Sequence, residues 1–570
     1  HEDVKTPLNF TRRELEFTVI DDENNKPKVI NTQLEILKEE IGALTENGRN
    51  SKCGIIFTPT VNGKNGCYQL SLKLREHFEI DIKYYSGSIP KVNQTPIMGE
   101  KKFNEYKQSV QKEFKNNEFS LLTATKAFGM GLNKGNVHYT FHYGIPGSME
   151  SLYQEAGRAG RDKNKFKSSK AKCFVLLSKS NDDRVLDQIW DRNTPLSKVN
   201  ELQRQTNGDI NTNLYLFSLG LDIIKKEFEI INNLFTKYAV SNKKNVRVKG
   251  DDIGAKKAKT EKAIYRLSQL GIIEDWTINN FFRGGEFDVD FSNYSANSIK
   301  ESLLKTIKYY DSEFSLKHIS KSNNKENNIY RKIINEEKYS AFEKYVLILL
   351  QWAYQHFAYN RKQSLKNIYE LCGNFKDTEQ GKIEFKNSLE AYFKFSDKSY
   401  LLQHIAENPK DYQKWFEVFF QMDKNIISNK FITVRQQKHL RDNLSRFLES
   451  YMNNTGLDLI SGLVRLFLDD YRNLDGRGRF ETSLEQIQNY EYADKEFIFQ
   501  QILKLGQKLS NNNKSYLAES LYKFFNSQEY LLKISKSLDD SFSMTTLIEQ
   551  GNNRLKTINK KIYGGFKKVG

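Results

Sequence analysis

The chain has only four cysteines in 570 residues: Cys53, Cys67, Cys173 and Cys372. They are widely scattered and form no Cys-x-x-Cys pair, so neither a zinc knot nor a disulfide framework is indicated. Such usage fits a reducing, intracellular compartment. Long apolar runs are missing too. The longest, Tyr345 to Tyr354, is interrupted by Gln351 and is too short to span a bilayer. No secretory signal opens the chain, which begins at His1 without an initiator Met, as a fragment or processed chain would. Negative charge is in deficit. Asp plus Glu number 71 against 88 Lys plus Arg, a formal charge of +17. That excess favours a polyanionic partner, most often nucleic acid, over a merely solvated basic surface. The length exceeds one core and implies about three or four domains.

Residues 50 to 180 alternate strand and helix patterns. Apolar strand candidates are Gly54–Phe57, Ile80–Tyr85, Phe119–Thr123, Val137–Phe141 and Cys173–Leu177, with helical patterns at Gln69–Phe78 and Phe103–Phe114 between them. The alternation predicts an α/β fold, a parallel sheet with helices on both faces. In such sheets the loops at the carboxyl ends of the strands make the binding site. Thr58-Pro59-Thr60, Ser86-Gly87 and the run from Thr125 all follow strands.

Residues 180 to 240 read as helical. A helix over Lys259–Leu270 stops at Gly271, a strand follows over Ile272–Ile278, and Asn279-Asn280 and Arg283-Gly284-Gly285 punctuate before a second strand, Glu286–Phe291. Helix, strand, glycine turn and strand is the plan of a winged-helix module. Residues 241–270 hold nine Lys/Arg against three Asp/Glu. A basic helix there suits the groove or backbone of a duplex, through Lys256, Lys257, Lys259 and Lys262. The competing reading is a module used only for protein contacts. Beyond residue 300 helices alone are expected. Phe342, Tyr345, Val346, Leu349, Leu350, Ala353 and Phe357 recur at helical spacing, with no catalytic constellation and aromatics that read as core.

Two motifs carry the chemistry. One is Ala124-Thr125-Lys126-Ala127-Phe128-Gly129-Met130-Gly131-Leu132-Asn133-Lys134. The other, about twenty residues on, is Gln154-Glu155-Ala156-Gly157-Arg158-Ala159-Gly160-Arg161-Asp162. Two arginines set among glycines can reach phosphate oxygens from a backbone that packs close. With Phe10–Leu15, Gly54–Thr58, Tyr85-Ser86-Gly87 and the segment through His142, Pro146 and Ser148, these motifs make residues 8–178 resemble the second RecA-like lobe of RecQ-type, superfamily-two DNA helicases.

The resemblance implies a two-lobe motor with ATP and Mg²⁺ held mainly by an N-terminal lobe. Arg161 would be the arginine finger, with Arg158 beside it on the γ-phosphate. Gly131, Asn133 and Gln154 would border the nucleotide. Thr58, Ser86, Gly87 and Thr125 would bind the backbone of one DNA strand through hydroxyl and amide donors, unless they merely cap strand ends. Lys134 would serve phosphate or solvate a turn. His142, with no carboxylate partner evident in the sequence, reads as structural.

The chain departs from that pattern in several places. Asn133 replaces the usual Asp, Lys163 the glycine after Arg-Asp, and the four-cysteine zinc module is missing, so no zinc is expected. No Gly-x-x-x-x-Gly-Lys-Ser/Thr and no acidic Asp-Glu-x-His box occurs. The nearest candidate, Gly63-Lys64-Asn65-Gly66, lacks the spacing and the hydroxyl. This chain alone is therefore expected not to bind ATP productively.

The resulting organisation is a second RecA-like lobe with its lead-in over 1–178 and a helical connector over 179–240. A winged-helix-like DNA-binding module follows over 241–295, and an all-helical accessory region over 296–570. The expected function is the C-terminal part of an ATP-dependent 3′-to-5′ DNA helicase acting on single-stranded and duplex DNA, cytoplasmic and nucleoid-associated. The helical region would dock a protein partner, in a repair or anti-phage setting. The alternatives are a non-catalytic DNA-binding scaffold with a degenerate motor lobe, and an RNA helicase.

Overall fold

A computed structural model describes residues 12–538 and residue 555, apart from 46, 49, 130–133, 163, 168, 192–193, 195, 220–222, 280–285, 312–313, 317–326, 394–396, 424–425, 452 and 470–473. The chain divides into two compact units, one of residues 1–310 with 314–394 and one of 311–313 with 395–570.

The first unit opens with β1 (Leu15–Asp21) and α1 (Lys26–Ile41). Asn25 caps α1 through the Lys28 N–H, a proline sits in the first turn, and the helix stops at Gly42 in a left-handed conformation. Then follow β2 (Cys53–Phe57), α2 (Cys67–Phe78) and β3 (Ile82–Tyr85). A short hairpin, β4 (Lys91–Val92) with β5 (Thr95–Pro96), leads to α3 (Glu100–Lys115), β6 (Leu121–Ala124), β7 (Val137–His142), α4 (Met149–Ala156) and β8 (Ala171–Leu177). The six longer strands form one parallel sheet in the order β1-β8-β7-β2-β6-β3. β2 and β6 are buried at every residue, as central strands covered on both faces must be. The expected parallel α/β sheet is therefore present. β1 is an addition to the sequence reading, which took the run ending at Leu15 as a lead-in. Its alternating burial made it legible only as half of a pair, and its partner β8 lies about 150 residues away.

Next come α5 (Asp183–Trp190), α6 (Leu196–Gln203), α7 (Gly208–Leu219) and α8 (Ile224–Tyr238), then β9 (Val246–Lys249), α9 (Lys257–Gln269), β10 (Ile273–Ile278), β11 (Glu286–Phe291) and α10 (Ala296–Tyr310). The three strands pair antiparallel in the order β10-β11-β9. The glycine turn at 283–285 lies outside the described residues. After α11 (Asn327–Asn335) the long α12 (Ala341–Gly373) begins at a Ser340–Glu343 capping box, and α13 (Glu379–Phe393) follows.

The domain boundary at 296 needs correction here. α12 and α13 contribute Leu365, Ile368, Phe385 and Leu389 to the same core as Leu15, Phe17 and Leu177 of the sheet. Lys386 donates to the carbonyls of Arg12 and Leu15, and the Tyr392 hydroxyl to Glu150. Helical periodicity located these elements but carries no information about which surface they cover.

The second unit contains α14 (Asp397–Glu407), α15 (Tyr412–Glu417), a hairpin of β12 (Phe420–Asp423) and β13 (Ile426–Phe431), then α16 (Val434–Ser450), α17 (Thr455–Phe467), α18 (Leu474–Ile487), α19 (Tyr492–Gly506), α20 (Asn511–Phe524) and α21 (Gln528–Ser537). The expected helices are there, with the hairpin as an exception. Its strands are too short for periodicity to separate them from a helix end, and Phe431 packs against Phe467 and Phe419. Within this unit Arg479 and Asp458 form a buried ion pair at 3.1 Å. Among the described residues no helix is long and apolar enough to cross a membrane.

Candidate nucleotide and nucleic-acid interface

The arginine motif begins where α4 ends. Gly157 closes the helix, and the next residues turn tightly: Arg158 N–H donates to Glu155 O and Ala159 N–H to Ala156 O. Gly160 N–H then bonds Val137 O, tying the loop to the start of β7. Gly160 has φ +63°, and a Cβ there would lie 3.1 Å from the Glu14 side chain. Glycine is thus required for conformation and for space. A third arginine, unrecognised in the sequence, clamps the loop. Arg12 donates from Nη1 to Gly157 O at 3.0 Å and from Nη2 to Ala159 O at 2.7 Å. Its position in the Phe10–Leu15 run was the one available signal.

Arg161 donates Nε–H to Gly157 O at 3.2 Å. Arg158 Nε is buried with no hydrogen-bond partner among the described residues. Burial depresses the basicity of both guanidinium groups, and for Arg161 the neighbouring Arg158 and Arg12 add to the effect. Arg158 and Arg161 share the loop and Arg12 lies against it, itself 3.4 Å from the Glu14 carboxylate, so the two loop guanidiniums are set close to a third cation. Gln154 is exposed on α4, while Gly131, Asn133 and Lys163 lie outside the described residues.

The strand ends meet as the sheet order dictates. Phe57 pairs with Ala124 and with His142, and Ala124 with Tyr85, so the loops after β2, β3, β6 and β7 converge. The donors assigned to DNA there are engaged internally. Thr58 gives its hydroxyl to Thr60 O and its N–H to Ala124 O; Ser86 gives its hydroxyl to Ser88 O; Thr125 gives its N–H to Tyr85 O. Buried donors demand partners, and loop carbonyls are nearest. These bonds shape the loops, and they engage the hydroxyls of Thr58 and Ser86 and the N–H groups of Thr58 and Thr125 that were expected to face DNA. Gly87 and Lys126 remain exposed at the same edge.

Lys134 is corrected outright. It is buried, donates to Asn117 Oδ1, and its ammonium lies 4.8 Å from the Phe114 ring centroid. Burial lowers its pKa. Lys262 is corrected as well. Its ammonium sits 2.8 Å from buried Glu227 and donates to the Tyr354 hydroxyl, while Arg266 bonds the other Glu227 oxygen. The cluster joins α8, α9 and α12. Strand charges are paired too: Lys244 with Glu274 and Asp290, Arg247 with Asp288, Lys249 with Glu286. The basic count of residues 241–270 is therefore largely neutralised on β9 and on the inner side of α9. Lys256 and Lys259 are exposed and Lys257 half-buried, all at the N-terminal turn of α9, where no acidic side chain or side-chain cap offsets the helix dipole.

His142 does have a carboxylate neighbour. Its Nε2 lies 3.4 Å from Glu155 Oε2, and its Nδ1 lies 3.2 Å from Phe174 O. Burial pushes the imidazole down to about 4 and the Glu155 carboxyl up to about 8, the latter moderated by Lys126. Both shifts disfavour the charged forms, and Nε2 has no hydrogen-bond partner among the described residues. The contact was illegible because Glu155 enters from α4, on the far side of a loop. Among the described residues no group of three or more His, Cys, Asp or Glu side chains is arranged to hold a metal ion, and all four cysteines are buried thiols.

Residues 32–163 match the family described as helicase conserved C-terminal domain. Over 178 residues the chain is 30% identical to the ATP-dependent DNA helicase RecQ of Bacillus subtilis, a match covering 31% of this chain and 26% of that protein. Over 142 residues it is 32% identical to the ATP-dependent DNA helicase hus2/rqh1 of Schizosaccharomyces pombe, covering 25% of this chain and 9% of that protein. Over 159 residues it is 30% identical to the ATP-dependent DNA helicase Q5 of Mus musculus, covering 28% and 14%. The chain thus spans a quarter or less of most of these relatives, and about a quarter of the bacterial one.

Proposed function

We propose that this chain, similar to RecQ helicases over its helicase C-terminal domain, works as the C-terminal part of an ATP-dependent DNA helicase moving 3′ to 5′. The observation that carries this reading is the arginine loop. Arg12 clamps the loop backbone, Arg161 bonds the Gly157 carbonyl, both loop arginines are half-buried, and Arg158 Nε lacks a partner among the described residues. A polyphosphate fits that orphaned donor and the concentrated positive charge. ATP with Mg²⁺, when bound between this lobe and an N-terminal lobe, supplies the phosphoryl group whose transfer drives the motor. Arg161 and Arg158 would stabilise charge on its γ-phosphate and report lobe closure.

The nucleic-acid path would cross the converging strand ends, with Gly87 and Lys126 at its edge. Lys256, Lys257 and Lys259 on the winged-helix-like module would hold duplex backbone. The polarity and the preference for DNA derive from the family resemblance. The second unit would serve as an accessory or partner-docking region.

The test is DNA-stimulated ATPase of the intact protein. Arg161→Ala should lower turnover by about 10³-fold or more while leaving DNA binding largely intact. Unchanged turnover contradicts the finger role. An intact protein that binds DNA yet hydrolyses no ATP supports the non-catalytic scaffold.

A further inference from the structure

A cavity of about 250 Å³ opens at the carboxyl ends of β2 and β7. Its floor is Phe57 and His142; Glu155 and Lys126 line one side. The other wall comes from outside the sheet, with Phe217 on α7 and Phe357 and Arg361 on α12. The wall is built: Phe217 and Phe357 lie 5.9 Å apart at 33°, and the Arg361 guanidinium sits 5.4 Å from the Phe357 ring centroid. Phe357 is 42% exposed, so its ring is open to a ligand. At the floor His142 Nε2 is buried without a hydrogen-bond partner among the described residues, beside the Glu155 carboxyl. Lys126 and Arg361 are exposed and mark the mouth with positive charge.

We propose that this cavity receives one unstacked nucleobase of the single strand crossing the strand ends, stacked on Phe357, with its flanking phosphates on Lys126 and Arg361. Each part of the cavity answers one part of a nucleotide. The aromatic wall offers a π face, which every base can use regardless of sequence. The Glu155 carboxyl, lining the cavity beside His142, offers a polar group to a base edge, as pockets for extruded bases do. The mouth cations suit phosphodiester oxygens. A cavity of this size favours a single planar ring system over a longer stretch. α7 and α12 thereby become part of the grip on the strand, and stepping along it would pass one base at a time through the cavity. The inference rests on the reading of the strand ends as a nucleic-acid path.

The probes are a single-stranded oligonucleotide and the same strand carrying one abasic position, moved along it in a series. With the full chain, one abasic position should weaken binding by about fivefold or more relative to the others. Phe357→Ala should weaken binding of the intact strand by the same factor and leave the affinity for that abasic strand unchanged; Phe357→Tyr should restore the loss. A 2-aminopurine at the same position should change fluorescence on binding, and this change should disappear in Phe357→Ala. A free nucleoside monophosphate that binds while every abasic strand binds equally well assigns the cavity to a free nucleotide and overturns the proposal. Equal losses for intact and abasic strands, or none, also overturn it while leaving salt-dependent DNA binding, and the helicase reading, in place. If the chain binds no nucleic acid at all, both readings fall.

Discussion

Glu155 Oε2 lies 3.4 Å from His142 Nε2 at the carboxyl end of β7, and burial keeps both side chains uncharged near neutrality. The two titrations act in opposite directions. Glu155, raised from 4.5 to about 8, contributes stability that is complete below pH 4.5 and lost as pH rises through about 8. His142, depressed from 6.5 to about 4, contributes stability that is present above pH 6.5 and lost as pH falls towards 4. Between pH 6.5 and 8 only Glu155 is in its window, so this pair makes the protein less stable as pH rises, by up to about 1.4 kcal/mol per pH unit. Glu155→Gln should flatten that fall. Melting temperatures across this window check it, and a variant as pH-sensitive as the parent would assign the slope to other groups.

Arg12 is expected to matter for turnover although it lies far in sequence from the arginine motif. Arg12→Ala removes two hydrogen bonds from a charged donor, a loss of about 1.5–3 kcal/mol for each such bond left unmade. ATPase turnover should fall by less than in Arg161→Ala, with DNA affinity unchanged. An Arg12→Ala protein with full turnover would mean the loop holds its shape without the clamp.

The four lysines singled out on α9 should separate into two phenotypes. Charge reversal of Lys256, Lys257 and Lys259 should weaken DNA binding and reduce its salt dependence with little change in melting temperature. Lys262→Met should instead lower stability by about 1–3 kcal/mol, because Glu227 loses a buried partner, and leave the salt slope alone. Titrations at several salt concentrations beside thermal melts check both. Equal loss of DNA affinity in the two sets would place Lys262 at the interface after all.

Asp209 is expected to anchor α7 to the sheet. Its carboxylate lies 3.0 Å from Lys26 Nζ and accepts the N–H groups of Ile145 and Ser178, in a buried cluster with Asp22. Gly144, at φ +120°, leaves room where a Cβ would stand 2.9 Å from Asp209 Oδ1. Asp209→Ala leaves Lys26 with Asp22 and Ser178 but removes one carboxylate partner and leaves the Ile145 and Ser178 N–H groups without their acceptor, and should cost about 1–3 kcal/mol by chemical denaturation. A loss below about 1 kcal/mol would show that Asp22 alone satisfies Lys26.

The sequence by itself determined the parallel sheet, the arginine loop and the helical character of most of the remaining chain. Each is encoded locally, in apolar periodicity or in glycines that permit one backbone path. Only the tertiary structure decided which charged groups face outward. Lys134 and Lys262 looked like phosphate ligands because a lysine reads the same in any context, yet one is buried on Phe114 and the other is paired to Glu227. The hydroxyls of Thr58 and Ser86 were claimed by loop carbonyls that no spacing rule reveals. The His142–Glu155 contact, the Arg12 clamp and the wall formed by Phe217 and Phe357 join segments 13 to about 145 residues apart. Contacts of that kind follow from how surfaces pack, and periodicity along the chain does not record which surface a helix will cover.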